Sequence, residues 1–401
     1  MVRRVTKLFT RAALVLALAG GAVNEIHAAT PSPVQIDVLL GLTGGGAFAG
    51  AANQSTLQAL ETYTNQHGGI SGRPVHFAIL DNKTDPTVAV QLANELIANK
   101  SKVILVSGFV AACKAVASLV SAGPVEYCLS PALYPQKGSF VFSAGVSTRD
   151  TIEACVRYFH ERGWNHIGTI TSNDASGLDA DAQIDAALAQ PENKSLQIVD
   201  REHFAPGDLS VAAQMSKIRA AHPDVLIAWT SGTPFGTILR AVQDSGTTIP
   251  IMTTNGNMIY HQMKQYASIM PKDLYFPGPG YIVGQAATAK ERALQRVYVN
   301  AIHQIGGTPD YESGEGWDPA LLVIDALRHL GPDATADQIR QYLLSLHSAT
   351  GISGIYDFDS GNQRGLGTKD VVVMRWEAAK DWWVAASRPG GVPISDKGTI
   401  R

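Results

Sequence analysis

Cysteine is scarce in this chain. Its 401 residues hold three, Cys113, Cys128 and Cys155, and none precedes position 113. No thiol therefore stands near the N-terminus to carry a lipid, and no disulfide framework replaces a core. Three cysteines allow one disulfide and a spare thiol, with the connectivity open; three buried, unpaired cysteines fit equally well. Charge is thin too. Asp, Glu, Lys and Arg make up 17% of the residues, the formal net charge is -3, and no run of Lys and Arg occurs past the N-terminus. That excludes the electrostatic footprint of a nucleic-acid binder. Catalytic signatures are missing as well. The eleven histidines form no H-E-x-x-H or other ligand spacing, so neither a metal site nor a cofactor is expected. There is no G-x-S-x-G, no Ser three residues before a Lys, and no G-K-[ST], so serine hydrolysis and a P-loop lose their support.

The N-terminal "MVRRVTKLFTRAALVLALAGGAVNEIHAAT" is the one segment with a clear address. Arg3, Arg4, Lys7 and Arg11 precede an apolar run from Ala12 to about Val23, followed by the small residues Ala28 and Ala29. This is the pattern of a cleavable secretory signal, with cleavage near residue 29. Its apolar run is shorter than the roughly 20 residues that cross a bilayer, and no later run is longer. The mature chain is expected to be exported, not membrane-embedded, and free in a periplasm.

From Val34 onward short β-rich runs alternate with amphipathic stretches, the signature of parallel strands joined by helices. "QIDVLLGL", "VHFAILDN", "KVILVSG" and "VEYCLSPA" read as strands. Between them "NQSTLQALETYTNQHGG" stops at Gly68 and Gly69, and "DPTVAVQLANELIAN" starts with Asp85 as cap and Pro86 in its first turn. A second series of the same kind runs from "DTIEACVRYFHERG" to "IPIMTTNG", with a boundary at "FSAGVSTRD", 142–150. Two α/β lobes follow. Open α/β sheets bind ligands beyond the carboxyl ends of their strands, so two facing lobes enclose a cleft. The C-terminal "SRPGGVPISDKGTIR" reads as a loose tail.

Polar and aromatic residues gather at those strand ends: Phe48, Ser107–Cys113 with Phe109, Ser130–Tyr134, Asn173–Gly177, Thr230–Phe235 with Ser231, and Thr253–Asn257. Helix N-termini there suit an anion such as a carboxylate, although each Ser, Thr or Asn serves equally as a helix cap. Two other motifs are weaker. Gly44, Gly46 and Gly50 with Asp81 only approximate a dinucleotide fingerprint, because the spacing departs from G-x-G-x-x-G. "DFDSG", 357–361, opens like a calcium loop, but Thr368 stands where Glu is required, so a hairpin turn is the better reading.

The stretch from "VLLGLTGGGAFAG" through "GGISGRPV" to "DNKTDPTVAVQLANELIAN", together with "GISGIYDFDSGNQRG", resembles the type I periplasmic binding proteins of ABC transporters, the branched-chain amino-acid (Leu/Ile/Val) group. The resemblance spans about 34–387. It implies an α/β fold of two Rossmann-like lobes with three crossovers and a central ligand cleft that closes about a hinge. The first lobe is then 30–145 plus 278–353, the second 146–277 plus 354–387, and the flexible tail 388–401. Position by position, it places a carboxylate at Ala111 and Ala112 and at Ala132, Leu133 and Tyr134. An aromatic follows the first loop at Phe48 or, one position along, at Ala49. Ser176 stands where the second lobe usually offers an aromatic, and Asn255 where an acid meets an ammonium.

With Asn255 in the acid's place, an ammonium would be buried unpaired, at a cost of several kcal/mol. The expectation therefore leans to a neutral or anionic solute, with Tyr134, Phe48 and Phe109 suiting an aromatic acid; Asp174 offers a carboxylate that keeps amino acids open. The expected partners are a small molecule and ABC permease subunits, the protein itself being a monomer. The rival readings are a ligand sensor presenting its closed form to a receptor, and an exported enzyme with an unrecognised site.

Overall fold

A computed structural model describes residues 32–358 and 361–394. The expected signal segment and its cleavage point lie outside the described residues. Val34–Leu40 (β1), Ala47–Gln66 (α1), Val75–Asp81 (β2), Pro86–Ala98 (α2), Val103–Val106 (β3), Val110–Ala117 (α3), Val125–Cys128 (β4) and Val141–Ser143 (β5) open the chain. Their strands form one parallel sheet in the order β2-β1-β3-β4-β5. The expected capping of α2 is present: Asp85 accepts from the Thr87 amide and Pro86 holds the first turn.

The second series is Thr148–Arg162 (α4), His166–Ser172 (β6), Ala175–Leu188 (α5), Gln197–Phe204 (β7), Ala212–Ala220 (α6), Val225–Trp229 (β8), Thr233–Ser245 (α7), Ile251–Thr253 (β9), Tyr260–Gln265 (α8) and Leu274–Pro279 (β10). The chain then returns through Ala289–Gln304 (α9), Tyr311–Glu315 (α10), Trp317–Leu330 (α11) and Ala336–Leu344 (α12), and α9, α10 and α11 pack on α1 of the first lobe. A small ladder, Ala349–Thr350 (β11) with Ile355–Tyr356 (β12), precedes Val371–Glu377 (β13) and Trp382–Ala385 (β14). The last two join the second sheet antiparallel, in the order β14-β13-β10-β9-β8-β6-β7.

Read from β6, the parallel part of that sheet repeats the 2-1-3-4-5 order of the first. The two lobes are topological copies. In each, the first connecting helix lies unusually close to its strand: a Cβ on Gly50 would sit 2.2 Å from the Gly41 carbonyl, and one on Gly177 would sit 1.7 Å from that of Ser172. Only glycine permits either approach.

Three segments join the lobes, and two fall later than expected. The second follows Pro279, because β10 still pairs with β9 and β13. The third begins only after Arg364. Residues 354–364 were expected in the second lobe, but Tyr356 donates to Asp318 of α11 and Gln363 bonds Ser139, Val141 and the Gly138 amide. The expected loose tail is folded as far as Ile394: Ser387–Arg388 (β15) pairs with Val392–Pro393 (β16), and Arg157 of α4 donates to the Gly390 carbonyl at 3.0 Å. Residues 395–401 lie outside the described residues. Cys113 and Cys128 form the disulfide and Cys155 is the buried spare thiol, which overturns the reading of three unpaired cysteines. Among the described residues no helix is long and apolar enough to cross a membrane.

Candidate ligand cleft

A cavity of about 360 Å³ lies between the lobes. Its walls come from the loops after β1, β3 and β4 of the first lobe and after β6, β8 and β9 of the second, around the switch point of each sheet, where strand order reverses and the carboxyl ends leave a crevice. This explains why the strand-end residues converge although they are scattered along the sequence. Phe48, Phe109, Ala111, Ala132, Ser176, Ser231 and Asn255 all line the cavity.

Leu133 and Tyr134 do not. Leu133 is 6% exposed and packs into the core around α3. Tyr134 turns outward to the rim, where its hydroxyl donates to Asp179 of α5 at 3.3 Å and Arg149 of α4 covers its ring at 5.4 Å. It ties the first lobe to the second instead of facing a ligand.

The glycine loop after β1 is held from behind. Asp81 accepts the Leu42, Thr43 and Lys83 amides and the Thr43 hydroxyl at 2.7–3.3 Å. Slight burial pushes its carboxyl up, but the Thr43 hydroxyl and those amides outweigh this and hold it below the usual range. Asp81 is thus spent on the loop, which removes it as the ribose acid of a dinucleotide site. Thr84 completes the brace, accepting the Gly46 amide at 3.1 Å and donating to the Thr43 carbonyl at 2.7 Å.

Two helices begin at the cavity without a side-chain cap: α3 after Phe109, and α7 after Gly232. The first amides of α3, on Val110 and Ala111, have no intrahelical acceptor and suit an anion. The start of α5 is different, because Asp174 accepts both the Ser176 and Gly177 amides at 3.0 Å. Ser176 therefore stands in an ordinary capped turn. Phe48, Phe109 and Trp229 supply the apolar surface.

The floor is Tyr311, Glu312 and Glu315 of α10, all three missed in the sequence. Asn255 donates to the Tyr311 hydroxyl at 2.9 Å, which donates to Glu315 Oε1 at 2.7 Å. The Asn255 side-chain Oδ1 accepts from the Thr254 hydroxyl and the Gly256 amide, so its amide is held in its own loop on one side and bridges to the other lobe through Tyr311 on the other. Glu312 Oε2 accepts from Asn53 Nδ2 at 3.5 Å. Burial pushes Glu315 up to about 7, and it pushes Glu312 well above the carboxylate range with help from the charges of Glu315 and Asp310. The signal was available: "PDYESGEGWDP" crowds four acids, Asp310, Glu312, Glu315 and Asp318, at the start of an apolar helix.

Among the described residues one trio of potential metal ligands meets, Cys113, Glu126 and Cys128. Its two sulfurs are bonded to each other, which leaves no thiolate to ligate.

The chain matches a family of periplasmic binding proteins over residues 33–381. It belongs to that family. Solved structures share its fold. An extracellular ligand-binding receptor from Rhodopseudomonas palustris HaA2 superposes with a TM-score of 0.79 at 21% identity, over 88% of this chain and 99% of that one. The branched-chain amino acid transporter substrate-binding protein LivJ from Streptococcus pneumoniae, in complex with isoleucine, gives 0.72 at 18%, over 86% and 95%. An ABC transporter solute-binding protein from R. palustris, in complex with benzoate, gives 0.74 at 16%, over 91% and 98%. No curated protein matches the chain. The expected type I fold of two Rossmann-like lobes about a cleft is the fold of this protein, and its membership of this family is as the sequence indicated.

Proposed function

We propose that this periplasmic binding protein is the soluble, exported solute-binding component of an ABC importer, which closes about its hinge on a small organic ligand and delivers it to the permease. The observation that carries this reading is the cavity itself, built from the switch-point loops of two topologically equivalent lobes joined by three strands of chain. Closure of such lobes lets a partner tell loaded from empty. The volume suits a small molecule. The ligand's carboxylate sits on the open amides of Val110 and Ala111, and its apolar body lies among Phe48, Phe109 and Trp229. The relatives' isoleucine and benzoate both combine a carboxylate with an apolar body.

A thermal-shift screen over amino acids, aromatic acids, amides and urea tests it, because a compound that binds only the native state raises Tm. A shift confined to carboxylates is expected. A shift with amides or urea and none with carboxylates would remove the assignment of α3 as the anion site.

A further inference from the structure

The charged side chains that line the cleft are all acidic: Asp174, Glu312 and Glu315. Asp174 is spent as the cap of α5, which leaves the pair on α10. Arg364, a cation whose charge reaches Glu315, is occupied elsewhere: its guanidinium donates to the carbonyls of Pro131, Leu133, Ala144 and Gly145.

Glu312 and Glu315 stand three residues apart, on one face of their short helix, and are only 5% and 7% exposed. Their carboxyl groups lie close enough to interact directly, and two buried acids so placed do not both ionise, so they share a proton. Each has one oxygen satisfied, by Asn53 and by Tyr311. The others, Glu312 Oε1 and Glu315 Oε2, meet no donor outside the pair among the described residues. They aim at opposite walls of the cleft. A Cβ on Gly256 of the second lobe would lie 3.7 Å from Glu312 Oε1, and one on Gly108 of the first would lie 3.3 Å from Glu315 Oε2. Both glycines line the cavity.

We propose that this pair reads a basic nitrogen of the ligand: an ammonium or amidinium enters between Gly108 and Gly256, displaces the proton the two acids share, and is held by both carboxylates. This rests on the solute-capture reading and adds the ligand's second pole, opposite the carboxylate at α3. One cation enters and one proton leaves to solvent, so the charge of the site is conserved. A neutral amide or hydroxyl cannot replace the proton, because two adjacent buried carboxylates do not both ionise unless a positive charge joins them. The surroundings agree. Asp310 disfavours a negative charge on Glu312, whereas the Tyr311 hydroxyl, by donating to Glu315, and Arg364, although committed to carbonyls, favour ionisation of Glu315, so that the pair carries a single charge. The reason for setting an ammonium aside, the amide at Asn255, is thereby met from the other lobe.

The test uses the purified mature protein and compounds matched but for the amine: phenylalanine and 3-phenylpropanoate, leucine and 4-methylpentanoate, 4-(aminomethyl)benzoate and 4-methylbenzoate. Thermal shift ranks them, and calorimetry at pH 6, 7 and 8 in two buffers of different ionisation enthalpy counts protons. The amine-bearing member of at least one pair should bind and its counterpart should not. Binding should release protons, so that affinity rises with pH by about tenfold per unit for each proton released. Glu312→Gln and Glu315→Gln, with native circular dichroism, should each lose at least tenfold affinity for the amine and most of the proton release. Equal binding of the amine-free members overturns the proposal and leaves solute capture standing, as does unchanged affinity and proton release in both variants. Silence across these compounds and the whole carboxylate, amide and urea screen overturns solute capture and this proposal together.

Discussion

Among the described residues Glu126 is a carboxylic acid left without a partner. It sits in the middle of β4, fully buried, and neither carboxylate oxygen has a hydrogen-bond partner. Burial pushes its carboxyl well above the usual range. In the unfolded chain it titrates near 4.3. Between that value and its raised native one, the folded state keeps a proton that the unfolded state has lost. Stability contributed by this group is therefore present at acid pH and falls as pH rises, by up to about 1.4 kcal/mol per unit. Glu126→Gln removes the loss. The variant should melt close to the natural protein at pH 4 and several degrees above it at pH 8, and an equal Tm at pH 8 would show that an unseen donor already satisfies Glu126. The ligand cleft should be unaffected, since Glu126 does not line it.

At the level of elements, strands, helices and their order were legible because hydrophobic period and caps are local properties. The Ser-, Thr- and Gly-rich strand ends could be listed for the same reason. What could not be read was which of them turn inward. Tyr134 follows "SPAL" as a ligand contact would, yet Arg149 and Asp179 of the other lobe draw it to the rim. The acids of α10 were hidden by the opposite effect: a five-residue helix gives no periodicity, and its burial comes from α1, with Asn53 and Glu312 259 residues apart, and from β9's loop, with Asn255 and Tyr311 56 apart. The cysteines were ambiguous until α3 was laid beside β4. Their disulfide closes a loop of 15 residues and ties α3, which carries Ala111, to the end of β4, which leads into Ser130 and Ala132, all three of them lining the cavity. Replacing both Cys113 and Cys128 by Ala should cost about 3 kcal/mol of stability by the loop-entropy estimate. It should also weaken ligand affinity, because the start of α3 is no longer pinned to the end of β4. Calorimetric unfolding and a binding isotherm on the same sample separate the two effects; unchanged affinity would mean that packing alone positions α3.

In the molecule as a whole, the hinge contains a buried cation, Arg364. Arg364 stands where the third connection leaves the first lobe, and its four acceptors belong to the loop after β4 and to the first connection, at 2.5–3.3 Å. Two connections are thereby fastened to each other. Arg364→Met leaves the carbonyls of Leu133, Ala144 and Gly145 without this donor, while that of Pro131 keeps the Thr148 amide, and a cost of about 3–5 kcal/mol is expected from breaking such an arrangement. The measured Tm should fall accordingly, and a small loss would mean that water reaches the hinge.

The proposed closure is expected to draw on a different contact. Asn255 of the second lobe donates to Tyr311 of the first, and a net hydrogen bond of about 0.5–1.5 kcal/mol corresponds to roughly a two- to tenfold bias towards the closed arrangement. Asn255→Ala removes that bias without removing the acids beneath it. Saturating ligand should therefore still close the variant, with an apparent affinity weaker by the same factor, because less of the free protein is competent to bind. Small-angle scattering supplies the check. The radius of gyration of the ligand-free variant should exceed that of the natural protein and converge with it at saturation. Identical ligand-free values would show that Asn255 orders its own loop and takes no part in joining the lobes.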